Sequence, residues 1–429
     1  MRMVIVWKIS LFFTLDLCRK GMIVFMRERQ ILHVDVNNAF LSWTAIERLK
    51  EGETLDIREI PAVIGGNEEM RSGIVLAKSM KAKACGIVTG ETLYQARKKC
   101  NNLQVYPSNY KVYKKYSDAL YNLLLEYTDK IERFSIDECF LDMTEYLAGS
   151  TLLEKAKEIN ARVEKELGFT VNVGVAHNKL LAKMASDFEK PNKVHTLYEN
   201  EISQKMWILP ISDLFMLGRK TVPKLYSIGI KRIGDLAKFD EQILIKKFGK
   251  HGKLMWEYAN GIDNSEVQYG EEQPKSIGNS ITLPNDIYGI DKIDEIVLAL
   301  TEQVTYRLRK YDLLANVVSV QLRTKDFKDY SHQKKLWTST NSTREIYDVA
   351  KEIAKEMYKG DFIRLVGVRT DDLCDKNQIQ LSMFDDSKSK KQEKIDKSID
   401  LLKEKYGYSK ITRGTVMNVE NIVKTKRKE

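Results

Sequence analysis

Alternating side chains mark the first regular element of the chain. The segment I-L-H-V-D-V, residues 31–36, has the period of two that predicts a strand, with Asp35 on the face opposite Val34 and Val36. An apolar helical pattern follows, and Asn37 or Asn38 suits its N-cap. Further patterns predict two short strands within 61–77, a strand at 169–176, helices at 80–86, 108–132, 151–167 and 177–187, and a hairpin bent at 136–138. Strands and helices in this order favour an α+β domain with a mixed or antiparallel sheet.

The pattern changes in the second half of the chain. Residues 209–262 favour short helices, and within 218–236 two helical pieces flank the turn S-I-G-I, as in a helix-hairpin-helix whose turn amides can bind a phosphate. A polar segment with Gly and Pro, residues 269–276, predicts a linker. Residues 277–370 follow the order strand, helix, strand, strand, helix, strand, which predicts a second α+β domain. From Asp385 onward the charge-rich chain predicts a tail with one helix.

Composition narrows the class of protein. The chain has 429 residues, enough for about two to four domains, with 43% hydrophobic and 30% charged residues and a net charge of +10. A basic surface suits a polyanion such as nucleic acid, or an anionic membrane. The five cysteines include no C-x-x-C pair, which favours reduced thiols in a cytoplasmic protein. No stretch suits a membrane span, and residues 1–30 are expected to be an extension outside the fold, because Lys8 and Asp16 interrupt their apolar run.

Three carboxylates carry the candidate chemistry. Asp35 ends the polar face of its strand, and Asp137 and Glu138 stand side by side in the otherwise apolar run F-S-I-D-E-C-F-L-D-M. Like charges that meet on one sheet repel each other unless a cation neutralises them, and carboxylate oxygens suit Mg²⁺. Two Mg²⁺ ions can activate a 3′-hydroxyl and hold a triphosphate for in-line displacement. The alternative is that Asp137 and Glu138 are turn residues paired with a nearby Lys or Arg.

A basic helix follows the strand at 169–176. Lys179 and Lys183 are four residues apart in G-V-A-H-N-K-L-L-A-K-M-A-S-D-F-E-K-P-N, and Lys190 lies in the K-P-N turn after the helix. Such lysines can neutralise triphosphate oxygens beside a metal site. For Lys179 or Lys183 alone, a solvated helix face explains the spacing equally well.

These motifs, in this order and spacing, resemble a Y-family translesion DNA polymerase of the bacterial UmuC-like (ImpB/MucB/SamB) group. The resemblance rests on D-V-N-N-A-F-L-S-W, S-I-D-E-C-F-L-D-M, the basic helix with K-P-N, and G-I-K-R-I-G-D-L-A, and it covers about residues 31–415. It implies a multidomain α+β right-hand polymerase whose palm has a mixed or antiparallel sheet plus helices. The expected domains are an N-terminal extension at 1–30, a palm at 31–40 and 108–204, small fingers at 41–107, a helical thumb with the helix-hairpin-helix at 205–264, a linker at 265–275, an α+β little finger at 276–376 and a tail at 377–429.

The resemblance also implies roles for individual residues. Asp35, Asp137 and Glu138 correspond to the catalytic, metal-binding carboxylates, and the Val36 carbonyl to a backbone ligand, with two Mg²⁺ in the active site. Phe40 falls where the family carries the aromatic ring that excludes a 2′-hydroxyl, although an ordinary core aromatic is the alternative. The nucleotide-binding residues expected are Asn38, Phe40, Lys83 and Lys190, and the DNA-binding residues expected are Lys220, Thr221, Lys224, Arg323 and Lys325, the last two on one strand face.

A short apolar motif precedes the tail. In N-Q-I-Q-L-S-M-F-D, residues 377–385, the side chains of Leu381, Met383 and Phe384 have no core of their own, and such side chains on a linker usually bind a partner groove. With Gln380 the motif resembles the one by which bacterial polymerases bind the sliding clamp, and a last strand of the preceding domain is the alternative. The expected partners are primer-template DNA, dNTP, the clamp and, as UmuC-like enzymes can need one, an activating accessory protein, with no membrane.

Two places depart from the family pattern. Met80 and Lys83 stand where many members carry Tyr and Arg against the triphosphate, so a hydrogen-bond donor and a bidentate contact are lost. Met216 replaces the first glycine of a G-x-G-x-K-T turn in the thumb. The sequence thus predicts a low-fidelity, translesion, DNA-directed DNA polymerase. Two alternatives are a catalytically silent or accessory-dependent DNA-damage or clamp-binding subunit, and a palm-like nucleotidyl cyclase, which would have no helix-hairpin-helix, clamp motif or basic second domain.

Overall fold

The computed structural model describes residues 28–69, 71–270, 273–375, 387–407, 411 and 414. Of these, residues 28–37 and 115–270 form one compact unit, and residues 38–114 together with those from 273 onward form a second. The predicted clamp motif at 377–385 lies outside the described residues, as does nearly all of the predicted extension at 1–30.

The bounds of the regular elements follow the chain. The strands are β1 (Ile31–Val36), β2 (Ala62–Gly65), β3 (Val75–Lys78), β4 (Gln104–Pro107), β5 (Ile131–Arg133), β6 (Glu138–Asp142), β7 (Val171–Ala176), β8 (Val194–Thr196), β9 (Ser276–Ile287), β10 (Leu313–Thr324), β11 (Asp329–Thr340) and β12 (Ile363–Asp375). The helices are α1 (Ala39–Lys50), α2 (Met80–Ala84), α3 (Leu93–Lys99), α4 (Tyr110–Leu124), α5 (Leu152–Arg162), α6 (Lys179–Ser186), α7 (Val222–Tyr226), α8 (Ile233–Ala237), α9 (Glu241–Phe248), α10 (Lys250–Ala259), α11 (Ile290–Lys310), α12 (Thr343–Met357) and α13 (Ser387–Tyr406).

The first unit is built on a five-stranded mixed sheet in the order β5-β6-β1-β7-β8. Strand β1 lies at its centre, antiparallel to both β6 and β7, and all six of its residues are buried. Strands β7 and β8 are parallel. Because both faces of β1 are buried, its polar residues His33 and Asp35 are enclosed rather than solvated.

Helix α6 lies unusually close to strand β7. A Cβ atom added at Gly174 would meet the Ala182 carbonyl oxygen at 1.8 Å and the Ser186 amide nitrogen at 2.7 Å. Glycine therefore permits a backbone-to-backbone approach that no side chain would allow. This approach brings α6, with the predicted basic residues, against the centre of the sheet.

The boundaries of several predicted elements need correction. The helix predicted at 108–132 ends at Leu124, because Thr128 turns the chain into β5 by donating from Oγ1 to the Asp142 carbonyl oxygen over 2.9 Å. Glu138 is the first residue of strand β6 rather than part of the bend. In the second unit, the sequence does not predict strand β4 (Gln104–Pro107), because its four residues are too few to show an alternating pattern and Pro is unusual in a strand.

The second unit contains two sheets. One is three-stranded in the order β3-β2-β4, and the other is four-stranded in the order β11-β10-β12-β9. Helices α11 and α12 pack on the four-stranded sheet around a large apolar core, in the strand and helix order that the sequence predicts. In β10 the buried apolar residues Val318, Val320 and Leu322 alternate along the strand, whereas all four residues of β2 are buried.

The C-terminal helix α13 is held by charged groups. Arg309 of α11 donates to both carboxylate oxygens of Asp400, over 2.5 and 3.0 Å, and Lys403 lies 3.1 Å from Glu302. Asp396 accepts the backbone N–H of Thr343 at 3.0 Å. The predicted tail helix is therefore a folded part of this unit. No helix in the described part of the chain is both long and apolar enough to cross a bilayer.

Candidate active site

Two of the predicted carboxylates lie on neighbouring strands of the first sheet. In the register of β1 and β6, Asp35 stands directly opposite Glu138. Side chains of directly opposed residues in antiparallel strands lie on the same face. The carboxylates of Asp35 and Glu138 therefore lie on the same face at one end of the sheet.

A lysine side chain lies between these carboxylates. The Nζ atom of Lys183 is 2.7 Å from Glu138 Oε1 and 3.2 Å from Asp35 Oδ2, and it is also 3.2 Å from Asp187 Oδ2. The Lys183 side chain is only 9% exposed, although it carries a charge. A buried ammonium is stable only when anionic groups surround it, and three do so here.

Lys190 completes a chain of alternating charges. Its Nζ atom lies 2.9 Å from Asp35 Oδ2 and 2.8 Å from Asp187 Oδ1. Asp187 thus contacts both Lys183 and Lys190, since it follows the first by four residues and precedes the second by three. The predicted nucleotide-binding residue Lys190 does lie beside the predicted metal-binding residue Asp35.

Burial and charge act in opposite directions on these groups. Burial raises the pKa of Glu138, against the nearby charge of Lys183, which lowers it. For Lys183, burial alone would lower the pKa, but the surrounding carboxylates outweigh it and the pKa lies above its usual range. The pKa of Lys190 is raised by the same balance of burial, Asp35 and Asp187. Both lysines therefore stay protonated at neutral pH.

The third predicted carboxylate does not join this cluster. Asp137 Oδ1 accepts a hydrogen bond from Ser135 Oγ at 2.6 Å, while the Asp137 carbonyl oxygen accepts the Val36 N–H at 3.0 Å. Among the residues that the structure describes, no three His, Cys, Asp or Glu side chains are arranged to hold a metal ion. The prediction that three carboxylates meet is therefore not met here, because the Asp137 side chain bonds to its own turn.

The donor set nevertheless fits a divalent cation. Asp35 and Glu138 both direct a carboxylate oxygen at the point where the Lys183 ammonium lies. Hard oxygen ligands that converge on one positive charge are the ligands that Mg²⁺ takes in proteins. Asp137 adjoins Glu138 in the chain, but its carboxylate accepts a hydrogen bond from Ser135.

His33 lies on the buried side of the site. Its side chain is fully buried, with Nδ1 2.8 Å from Ser186 Oγ and Nε2 3.8 Å from Glu138 Oε2. Burial, with the positive charge of Lys183 next, holds the pKa of His33 well below its usual value. The ring is therefore a neutral wall of the site rather than a further cation.

A buried amide network holds the turn that carries Lys190. Asn172 of β7 donates from Nδ2 to the carbonyl oxygens of Ser186 and Glu189, over 3.1 and 2.7 Å. Its Oδ1 accepts from Asn37 Nδ2 at 3.1 Å, and Asn37 Oδ1 accepts the N–H of Asn192 at 2.9 Å. The chain on both sides of Lys190 is thus tied to the strands of the sheet.

Phe40, Asn38 and Lys83 belong to the second unit. The Phe40 ring is half-buried and stacks on Tyr113, with centroids 4.4 Å apart and planes inclined by 15°. Asn38 is the exposed N-cap residue of α1, in the left-handed region at φ 48°, and its side chain makes no capping bond. Lys83 is exposed on α2. Phe40 therefore combines a packed face with partial exposure, as both of its predicted roles allow.

The predicted DNA-binding residues divide into two groups. Lys220 and Lys224 are exposed around the start of α7, and Thr221 is its N-cap. On β10, Arg323 does not stand free, because its Nε and Nη2 donate to the two carboxylate oxygens of Asp329, over 2.8 and 2.9 Å. Lys325 lies 5.2 Å from the centroid of the Phe362 ring.

Sequence reasoning underestimated three residues of the site. The sequence assigns Lys179 and Lys183 the same role beside a metal site, but only Lys183 contacts the carboxylates, whereas Lys179 pairs with Glu132 at 2.6 Å. Asp187 and Asn172 are not among the residues that the sequence predicts for the site. The spacing of Asp187, four residues after Lys183 and three before Lys190, is the signal in the sequence that could have indicated its two ion pairs. Nothing local in the sequence indicates the role of Asn172.

Comparison with known proteins gives the family. The model of the impB/mucB/samB family matches residues 34–187, and the model of its C-terminal domain matches residues 274–383. DNA polymerase IV of Clostridium acetobutylicum is 49% identical over 390 residues, which are 91% of this chain and 98% of that protein. DNA polymerase IV 1 of Bacillus subtilis is 33% identical over 92% of this chain and 94% of its own length.

A solved structure shows the same fold. A chimeric Y-family DNA polymerase superposes with a TM-score of 0.71 at 24% identity, covering 81% of this chain and 99% of its own. The predicted fold class, enzyme class and translesion function are confirmed. The narrower UmuC-like subgroup is not, since these relatives are named DNA polymerase IV. With both family models matched in order along its length, the chain belongs to the impB/mucB/samB family and is a Y-family DNA-directed DNA polymerase of the polymerase IV type.

Proposed function

We propose that the site around Asp35 and Glu138 adds deoxynucleoside triphosphates to a primer end with two Mg²⁺ ions. Asp35, Asp137, Glu138 and the Val36 carbonyl would hold the metal. Bound Mg²⁺ supplies Lewis-acid activation of the 3′-hydroxyl and neutralises the triphosphate. The observation that carries this proposal is the convergence of Asp35 and Glu138 on the single cation of Lys183, at 3.2 and 2.7 Å.

In this proposal Lys183 and Lys190 exchange their carboxylate partners for triphosphate oxygens when the nucleotide binds. Without nucleotide, Lys183 and Lys190 neutralise Asp35, Glu138 and Asp187. A triphosphate brings its own negative oxygens, to which protonated lysines bind strongly. Lys190 is the more exposed of the two, at 37% of its side chain, so it is suited to contact the triphosphate.

Three residues of the second unit, Phe40, Asn38 and Lys83, would contact the nucleotide. Phe40 would lie under the deoxyribose, where a 2′-hydroxyl would collide with the ring. The packing of Phe40 on Tyr113 supports this role, because a ring fixed by stacking cannot rotate aside. Asn38 and Lys83 would complete the nucleotide site, with Lys83 as a single charge rather than a two-pronged donor.

The remaining partners follow from the sequence motifs. The exposed Lys220 and Lys224 and the half-buried Thr221 would bind phosphates of the primer-template, and the exposed Lys325 would do so on the little finger. Arg323 would first have to leave Asp329. We also propose that Gln380, Leu381, Met383 and Phe384 bind the bacterial sliding clamp. The proposed domains are a palm at 31–40 and 108–204, fingers at 41–107, a thumb at 205–264, a linker at 265–275 and a little finger at 276–376.

Two finer assignments stay hypotheses. The UmuC-like subgroup rests on the resemblance of the quoted motifs, with Lys83 as one of its features, and the names of the relatives do not support it. An activating accessory protein would follow only from that subgroup. A catalytically silent subunit is the second candidate function, favoured by the hydrogen bond that holds Asp137 to Ser135 away from the other carboxylates.

The test is primer extension by the purified chain on undamaged and abasic templates, with Mg²⁺ and dNTP. Asp137→Ala and Glu138→Gln are the variants, and Glu132→Gln is the matched control, since Glu132 pairs with Lys179 outside the cluster. We expect extension by the wild type and the control and its loss in both variants. Extension that persists in Asp137→Ala would remove Asp137 from the metal site. No extension by any protein, with primer-template binding intact, would favour the silent subunit.

A further inference from the structure

Two cysteines of the second unit lie in contact within a small apolar core. The sulfur atoms of Cys85 and Cys100 are 3.2 Å apart, and both residues are free thiols. Cys85 follows the last residue of α2, and Cys100 follows the last residue of α3. The core around them is formed by the three-stranded sheet and these two helices.

The backbone near both thiols is fixed by an independent contact. Lys99, the neighbour of Cys100, donates from Nζ to the carbonyl oxygen of Gly86, the neighbour of Cys85, over 2.9 Å. The same Nζ atom lies 2.5 Å from Glu91. The two thiols therefore stay adjacent because their chain neighbours are bonded, and not only because they pack together.

The two thiols differ in access. Cys85 is half-buried, whereas Cys100 is 5% exposed. The Cys85 thiol donates to the Cys100 sulfur, and the Cys100 thiol donates to Asn102 Oδ1 at 3.1 Å. Burial, with Cys85 next, raises the pKa of the Cys100 thiol. A reagent from solution would thus meet Cys85 first, with Cys100 behind it.

We propose that Cys85 and Cys100 form a reversible disulfide when the protein meets a peroxide. The Cys85 sulfur attacks the peroxide, so that an S–O bond forms, the O–O bond breaks and one water leaves. The Cys100 sulfur then displaces the hydroxyl of the Cys85 sulfenic acid, and a second water leaves as the S–S bond forms. Two thiols are oxidised, one hydrogen peroxide is reduced, and a dithiol reverses the change. A disulfide length of about 2.05 Å requires the sulfur atoms to approach by roughly a further 1.2 Å.

The other described thiols serve as comparisons. Cys139 is buried in the first unit, and burial raises its pKa to about 12. Cys374 is half-buried on β12, beside Asn316 rather than another described thiol. Among the cysteines that the structure describes, neither has an adjacent resolving thiol that would turn a sulfenic acid into a disulfide.

The consequence concerns the nucleotide site, and this part rests on the proposed function. Met80 and Lys83 lie on α2, the five-residue helix that ends beside Cys85. A disulfide would fix the end of α2 to the end of α3. Lys83 could then no longer adjust independently to a triphosphate, so the KM for dNTP is expected to rise on oxidation.

The test uses the full chain, reduced and then treated with stoichiometric hydrogen peroxide. After denaturation, a thiol titration is expected to fall from five thiols to three per chain, since five cysteines are present. Mass spectrometry of a non-reduced digest should find the peptides of Cys85 and Cys100 joined, and dithiothreitol should separate them. Cys374→Ser should behave as the wild type, and Cys85→Ser and Cys100→Ser should form no such cross-link.

The outcomes separate this proposal from the proposed function, because the cross-link is scored by mass without any polymerase assay. Absence of the cross-link in the folded wild type, or loss of Cys374 as fast as Cys85, would overturn the proposal. Primer extension then compares oxidised and reduced wild type with Cys85→Ser under the same treatment. A KM for dNTP that is unchanged in fully cross-linked, active wild type would overturn the link to nucleotide binding.

Discussion

The ammonium group of Lys183 lies 2.7 Å from the carboxylate of Glu138, at the point on which Asp35 also converges. The Lys183 side chain is 9% exposed and that of Glu138 is 19% exposed, so water screens the pair little. In the proposed metal site, Lys183 therefore occupies the position of the cation. Metal binding and the Lys183 contact should compete for the same carboxylate oxygens.

Replacing Lys183 by Met should strengthen metal binding while weakening the fold. Without the ammonium, Asp35 and Glu138 repel each other, and loss of one partner of a buried ion cluster costs about 3 kcal/mol. We expect a lower urea midpoint in EDTA, tighter Mn²⁺ binding by electron paramagnetic resonance without nucleotide, and a larger stabilisation by Mn²⁺ than in the wild type. Lys253→Met is the control, because Lys253 is 57% exposed and 3.8 Å from Glu257. Weaker Mn²⁺ binding in Lys183→Met would contradict competition.

Replacing Gly174 by Ala should disrupt the contact between β7 and α6. The new Cβ would stand 1.8 Å from a backbone oxygen of Ala182, which cannot move without the whole helix. We expect a loss of about 3 kcal/mol or more in the free energy of unfolding, measured by urea denaturation. Gly218→Ala, where a Cβ meets nothing within 4 Å, should change stability little. Equal stability of the two variants would show that α6 stands further from β7 than described.

The buried His33 should make the first unit sensitive to acid. Because burial holds the folded-state pKa of His33 well below 6.5, the unfolded chain takes up this proton first as the pH falls. The neutral, buried His33 makes its full contribution to the free energy of unfolding above pH 6.5. Below pH 6.5 the free energy of unfolding falls by up to about 1.4 kcal/mol per pH unit. Urea midpoints at pH 5.5 and 7.5 should differ less in His33→Phe than in the wild type. The exposed His332→Phe should keep the wild-type difference.

Met216 should carry backbone strain that glycine would relieve. Its φ is 65°, in the left-handed region, and its side chain is 63% exposed, so little packing is lost on replacement. Met216→Gly is expected to raise the free energy of unfolding by about 0.5–1 kcal/mol in thermal or urea melts. Met216→Ala keeps the Cβ and should show no such gain. A gain of the same size in both variants would attribute the effect to the side chain instead.

Asp400 should hold the C-terminal helix to the second unit. Its two bonds to Arg309 join side chains that are 16% and 9% exposed. Asp400→Ala is expected to cost about 2 kcal/mol locally and to speed amide hydrogen exchange across residues 394–406. Asp348→Ala, at an exposed carboxylate 4.0 Å from Arg344, should leave exchange unchanged. Unaltered exchange in Asp400→Ala would mean that apolar packing alone holds α13.

Local patterns in the sequence were sufficient for much of the fold. The period of two in residues 31–36 predicts β1, and the order of strands and helices after residue 276 predicts the little finger sheet with its two helices. These features depend on side-chain periodicity, which each segment carries within itself. The closeness of Asp35 and Glu138 was also predictable, because Asp35 ends a strand, Glu138 stands at a predicted hairpin bend, and like charges that meet on one sheet need a cation.

Tertiary structure decided which charged groups meet. Lys179 and Lys183 look equivalent in sequence, yet the approach of α6 over Gly174 directs Lys183 to the carboxylates and leaves Lys179 to Glu132. The sequence likewise could not show that Cys85 and Cys100 touch, or that Arg323 is paired with Asp329. The physical reason is that a contact between distant segments depends on sheet register and helix approach to within a few ångströms, and residues far apart in sequence set both.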